Sequence, residues 1–106
     1  MVNPYSGEVA LVIDGDRYLL KLTLGALVEL EDALGAGSLV ELVERFEGGQ
    51  YSVRDVLALI LAGLRGAGWR GNADMLASAE IVGGPVEAAR VAAQLLVRAF
   101  AMPGAD

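Results

Sequence analysis

Carboxylates are the most abundant side chains in this chain that could do chemistry, and they come without the partners that would put them to work. Fourteen Asp and Glu stand against eight Lys and Arg, with no histidine and no cysteine. Paired carboxylates can exchange protons when a pocket drives their pKa values apart. Here Glu29, Glu31, Asp32, Glu41, Glu44, Glu47 and Asp55 recur at the spacing of solvated faces on short amphipathic helices. Without histidine, the side chain that normally titrates near neutral pH is missing and a serine has no imidazole to activate it. Without cysteine there is neither a thiolate ligand nor a thiol nucleophile. No catalytic, metal or cofactor residues are expected, and the chain reads as non-enzymatic.

One motif points the other way. Gly66-Ala67-Gly68-Trp69-Arg70-Gly71 fits the G-x-G-x-x-G pattern of dinucleotide sites. That pattern cradles a pyrophosphate only where it follows a strand and opens a helix, with an acidic residue about 20 positions on. In this chain it follows a helical pattern and enters a loop, and bulky Trp69 sits inside it. A glycine-rich connector is the expected structure. No lysine follows, so a phosphate-binding P-loop is excluded as well.

The bulk properties narrow the remaining classes. A formal charge of −6, with no two basic residues adjacent, argues against a nucleic-acid backbone as partner. The apolar fraction is 55%, yet no stretch approaches the ~20 apolar residues of a membrane span. The most apolar run, residues 56–64, is bracketed by Arg54, Asp55 and Arg65. The opening residues lack the basic, apolar, small-residue order of a secretory signal, so the expected location is the cytoplasm. At 106 residues the chain is expected to form a single domain, residues 1–106, with its own core.

The elements that must position any site begin at residue 8. Val9, Leu11 and Ile13, then Tyr18, Leu20 and Leu22, alternate with a period of two around Asp14-Gly15-Asp16. This predicts a β-hairpin. With Gly15-Asp16 as the loop, Ile13 faces Tyr18, Leu11 faces Leu20, Val9 faces Leu22, and Asp14 meets Arg17. An Asp14-Gly15 loop keeps the same faces but loses that charge pair, so the first register is preferred. Thr23 then caps a helix whose apolar arc is Leu24, Leu27, Val28, Leu30 and Leu34, closed by Gly35.

Ser38 and Glu41 form a capping box for a second helix that buries Leu39, Leu42, Val43 and Phe46 and exposes Glu44 and Arg45. Ser52 caps a third, with Asp55 in its first turn and Tyr51 stapled onto Val56. Its apolar density marks it as the central buried helix, expected to end within Gly63-Leu64-Arg65-Gly66-Ala67-Gly68. Asn72 caps a short helix over residues 73–81, and Pro85 starts a last one with Val86, Ala89, Ala93, Leu96, Val97 and Phe100 on one face. Residues 1–7 read as a loose arm and residues 102–106 as a loose tail. The fold class is therefore α+β: an antiparallel N-terminal hairpin packed against a small bundle of about five short helices.

Two features point to partners. Glu31 lies among Leu24, Leu27 and Leu34, within the apolar arc of its helix. Buried alone it would be costly, so it either forms an ion pair with Lys21, Arg17 or Arg45 or contacts a partner protein. Met75, Leu76, Ile81 and Val82, with Trp69 before them and Val91 and Leu95 after, form either ordinary core or a second apolar surface. Such a surface would be a binding groove or a homo-oligomer patch.

Gly7-Glu8-Val9, Asp14-Gly15, Leu22-Thr23-Leu24-Gly25-Ala26-Leu27, Leu30-Glu31 and Ala33-Leu34-Gly35 resemble the gene transfer agent family of phage-tail assembly chaperones. Arg45-Phe46, Gly63-Leu64-Arg65-Gly66 and the closing alanine-rich helix to Phe100 continue the likeness across residues 3–100. The resemblance implies a non-enzymatic, cofactor-free protein encoded among the tail genes of a phage, a prophage or a gene transfer agent. Its partners would be the tail tape-measure protein and the major tail (tube) protein, with homo-oligomers as a further expectation. It would act in the cytoplasm of the bacterial host during particle assembly. The alternatives are a structural tail component retained in the particle and, behind it, a small-ligand-binding domain near Gly66. Leu24, Leu27, Val28 and Glu31, then Val91 and Leu95 of the last helix, are the expected partner-binding residues.

Overall fold

A two-residue hairpin loop matches the twist of its strands only when both loop residues take positive φ, and Asp14 (51°) and Gly15 (84°) do so. Strands β1 (Val9–Ile13) and β2 (Asp16–Leu20) accordingly pair antiparallel, with Ile13 opposite Asp16, Leu11 opposite Tyr18 and Val9 opposite Leu20. This computed structural model describes residues 7–34 and 39–100, the side chain of Leu34 excepted. The loop lies one residue earlier than the preferred register, because Asp14 is engaged elsewhere. Its N–H donates to the Glu80 carbonyl, and its Oδ1 accepts the Glu80 N–H, both at 2.8 Å. A clamp from a residue 66 positions away outweighs a local charge pair with Arg17. Both registers keep the same parity, so Val9, Leu11, Ile13 and Leu20 still face the core.

Residues 79–82 extend along the outer edge of β1. Ile81 forms an antiparallel bridge with Ile13, and the Val82 N–H donates to the Val12 carbonyl at 3.2 Å. This short pairing covers an edge that would otherwise present unsatisfied backbone groups. It also shortens the fourth helix, which was expected to reach Ile81.

Among the described residues five helices follow the hairpin: α1 (Leu24–Leu34), α2 (Leu39–Glu47), α3 (Val53–Gly66), α4 (Ala73–Ser78) and α5 (Gly84–Ala99). The α+β architecture is as the sequence indicates. Local capping chemistry sets several of the helix starts. Thr23 Oγ1 accepts the Ala26 N–H at 3.1 Å, and Asn72 Oδ1 accepts the Met75 N–H at 2.9 Å. Ser52 and Asp55 exchange side-chain and backbone bonds in a capping box. The expected Ser38–Glu41 box and the Gly35 cap involve residues outside those described.

Helix α3 is the centre, packed against β2, α1, α4 and α5. It ends at Gly66, inside the glycine-rich stretch expected to stop it, and its two glycines are where the hairpin meets it. The Lys21 N–H donates to the Gly63 carbonyl at 3.0 Å. A Cβ at Gly66 would lie 1.9 Å from the Lys21 carbonyl oxygen, and one at Gly63 would lie 2.9 Å from Leu95 Cδ1 and 3.1 Å from Leu20 Cβ. Residues read as helix breakers are thus contact points, since only glycine permits so close a backbone approach.

Helix α5 buries Ala88, Val91, Ala92, Leu95 and Leu96, not the face carrying Val86, Val97 and Phe100. The buried arc has the same helical period but smaller residues. Ala88 and Ala92 are the small members of that arc, while Val86 and Val97 are left outside. In α1 the buried side is Ala26 and Leu30, with Leu27 half-buried, while Leu24 is 82% and Val28 60% exposed. Helix α2 buries Leu42 and packs Leu39, Val43 and Phe46 on the core as expected.

Two glycine substitutions test the α3 contact. Gly66→Ala is expected to destabilise the fold by about 1–3 kcal/mol, as overpacking against backbone does. Gly25→Ala, on exposed α1 with nothing nearer than Thr23 Oγ1 at 3.9 Å, should be neutral or stabilising. Denaturant unfolding of the two variants reads both signs. Asp14→Ala should cost about 2 kcal/mol, from the lost Glu80 bond and an alanine held at positive φ. Asp14→Asn keeps an acceptor and tolerates that φ, so it should cost much less in the same assay.

Candidate functional site

Surface valines mark where the fold leaves apolar area uncovered. Val53, at the start of α3, is 83% exposed, and Val86, at the start of α5, is 82% exposed. Between them lies an open apolar groove of about 820 Å³. Val56, Leu57 and Ile60 of α3 form one wall and Pro85, Val86, Ala89 and Ala93 of α5 the other, with Leu76, Ala79 and Ile81 beneath. The groove exists because α5 turns its alanine arc to α3 and its valine side to solvent. The volume falls in the range of ligand sites, but an open apolar furrow between two helices also suits the apolar face of a third.

Charge reaches the groove lining through Arg90, between Ala89 and Ala93 on the α5 wall. Arg90 is held by Glu87, with Nε to Oε1 at 2.8 Å. That hydrogen bond and the arginine charge keep the Glu87 carboxyl below its ordinary pKa. At the α2–α3 corner the Tyr51 ring stacks on Phe46, with centroids 4.5 Å apart and planes 10° from parallel. Beside them Arg45 grips Asp55 through Nε and Nη2, both bonds 3.0 Å. Arg45 was expected to be exposed on α2. It is drawn in because Asp55, buried at 6% exposure, needs a partner. Burial alone would raise the Asp55 pKa. The Arg45 hydrogen bonds, the Ser52 N–H and the Arg45 charge together outweigh it and leave the carboxyl below its usual value.

The expected partner residues fall into two groups. Leu24, Val28 and Glu31 are exposed along the outer side of α1, and Leu27 is half-buried against the core. Glu31 makes no ion pair with Lys21, Arg17 or Arg45 among the described residues, so the ion pair considered for it is absent there. Val91 and Leu95 are 0% and 1% exposed, inside the core, so in this fold neither side chain is available to a partner. They were placed outside because the wrong face of α5 was taken as core. The second apolar surface divides in the same way: Leu76 and Ile81 line the groove, Met75 and Val82 are exposed beside it, and Trp69 packs on the core. The groove walls Val53, Val86, Ala89 and Ala93 were not singled out as a site. The one sequence signal for them is a helix apolar on more sides than one contact needs.

The glycine-rich motif does not form a phosphate cradle. Gly66 ends α3 against Lys21, and Gly71 lies under the Trp69 ring, 2.2 Å from where its Cβ would be. Among the described residues no group of three or more His, Cys, Asp or Glu could hold a metal ion, and no helix is long and apolar enough to cross a membrane.

The Arg45–Asp55 pair has a pH signature. Because the folded Asp55 pKa is lowered, the unfolded chain binds the proton more readily, and the stability it contributes is lost as pH falls through the folded value. Asp55→Asn should cost about 1.5–3 kcal/mol at neutral pH. The gap between wild type and variant should narrow below about pH 4, the ordinary aspartate range. Denaturant unfolding at several pH values measures it, and a gap constant down to pH 2 would contradict the assignment.

No curated protein and no solved structure matches the chain. Residues 6–102, nearly its whole length, match the family described as "Phage tail tube protein, GTA-gp10". The chain belongs to that family of gene transfer agent and phage tail proteins.

Proposed function

We propose that this chain is a non-enzymatic tail-assembly chaperone. It holds an apolar helical segment of the tape-measure protein in the α3–α5 groove until the major tail protein polymerises around that partner. The groove carries the proposal. Its walls and floor are mainly apolar, and Arg90 on its lining is already paired with Glu87. A helix docking there would bury apolar anchors at i, i+3, i+4 and i+7 without stranding a charge. Family membership supplies the tail context, and a net charge of −6 helps keep an apolar complex soluble. The work would be done in the cytoplasm of the host during assembly.

A second reading is a tail component that stays in the finished particle, and the family's own description as a tail tube protein favours it. The two differ in the fate of the chain. Mass spectrometry of purified particles would find stoichiometric protein under the second reading and none, or traces, under the first.

The groove is tested by co-expression with the tape-measure protein of the same locus, with and without Val86→Glu and Ala89→Glu. Wild-type protein should keep the tape measure soluble and co-purify with it. Each charge placed in the groove should lower the co-purified amount at least tenfold while leaving the melting temperature within a few degrees, since Val86 touches little core. An insoluble tape measure with wild-type protein present, or equal recovery with the variants, would sink the proposal.

A further inference from the structure

Among the described residues, Glu31 and Arg54 are two of the charges that stand at helix ends whose dipole disfavours them. Glu31 is in the last turn of α1, which carries no basic residue, where the negative end of the helix dipole disfavours a carboxylate. Arg54 is in the first turn of α3, where the positive end disfavours a guanidinium. Neither forms an ion pair among the described residues. Each would gain from an opposite charge brought from outside.

The apolar residues beside them match in spacing. On α1, Leu24, Val28 and Glu31 share one outer stripe, with Leu24 82% exposed and Val28 60%. On α3, Leu61, Ala58 and Arg54 share another, which forms the floor of a shallow depression of about 200 Å³ flanked by α1. From Leu24 to Glu31 and from Leu61 to Arg54 the separation is seven residues, about 10 Å along either helix. The donor stripe and the receiving stripe face different directions on one subunit, so they cannot meet within it.

We propose that α1 of a second copy of this chain docks into the α1–α3 depression, Leu24 on Leu61 and Glu31 on Arg54. The docked α1 runs antiparallel to α3. Its negative end therefore meets Arg54 and the positive end of α3, and its positive end arrives at the Glu29–Arg65 ion pair (3.4 Å), which lines the far side of the seat. The contact joins two different faces, so it is heterologous and propagates, giving a ring or an open array of subunits. It uses neither the groove between α3 and α5 nor its occupant, so it stands whatever fills that groove.

The test is sedimentation velocity over a wide concentration range on four proteins: wild type, Glu31→Arg, Arg54→Glu and the double reversal. Both single reversals put charges where the helix dipoles favour them, so a melting curve at or above wild type will show that any lost association is not misfolding. Wild type should self-associate, each single reversal should weaken association at least tenfold, and the double should recover it. Val28→Asp should abolish it. A monomeric wild type at every concentration overturns the proposal. So does an oligomer that ignores both reversals, or singles that lose association without recovery in the double, which would mean that another protein or another surface takes these residues.

Discussion

Everything in this fold depends on how closely the central helix approaches the end of the hairpin. The Lys21 N–H bonds to the Gly63 carbonyl, and Gly66 leaves room for the Lys21 carbonyl itself. That contact is backbone against backbone, so it fixes distance and orientation more tightly than side-chain packing would. From it follow the position of α1, which starts three residues after Lys21, and the seat of α5, whose Leu95 packs against Gly63. A two-stranded hairpin has little stability alone. Here one edge is tied to α3 and the other to Ile81, with Asp14 clamping Glu80 across the turn.

The same geometry decides which apolar surface is left over. With Ala88, Val91, Ala92, Leu95 and Leu96 of α5 buried, Val86, Ala89 and Ala93 are left to line the groove with the start of α3. Arg90 on the groove lining is satisfied internally by Glu87, so an apolar occupant meets no unpaired ion there.

Local chemistry was legible in the sequence and distance-dependent chemistry was not. The caps Thr23, Ser52 and Asn72 act on amides three residues away, and all three are where sequence places them. The hairpin faces followed from strand parity, which either register preserves. The register itself was set by Glu80, beyond the reach of local reasoning. Gly63 and Gly66 read as breakers because propensity counts only what glycine loses, and nothing in the letters announces a carbonyl approaching from Lys21. On α5 two arcs share one period, and residue size pointed to the wrong one. That error hid the groove and placed Val91 and Leu95 outside the core that holds them. The tail context came from the whole-chain likeness, and no single residue would have supplied it.

The furrow between α3 and α5 is the proposed seat of the partner. Hydrogen–deuterium exchange of the purified complex against the free protein tests it most directly. Slower exchange confined to peptides from the first half of α3, from residues 76–81 and from the first half of α5, with α1 unchanged, is the predicted result. Protection centred on α1, or none beyond the free protein's, would contradict it.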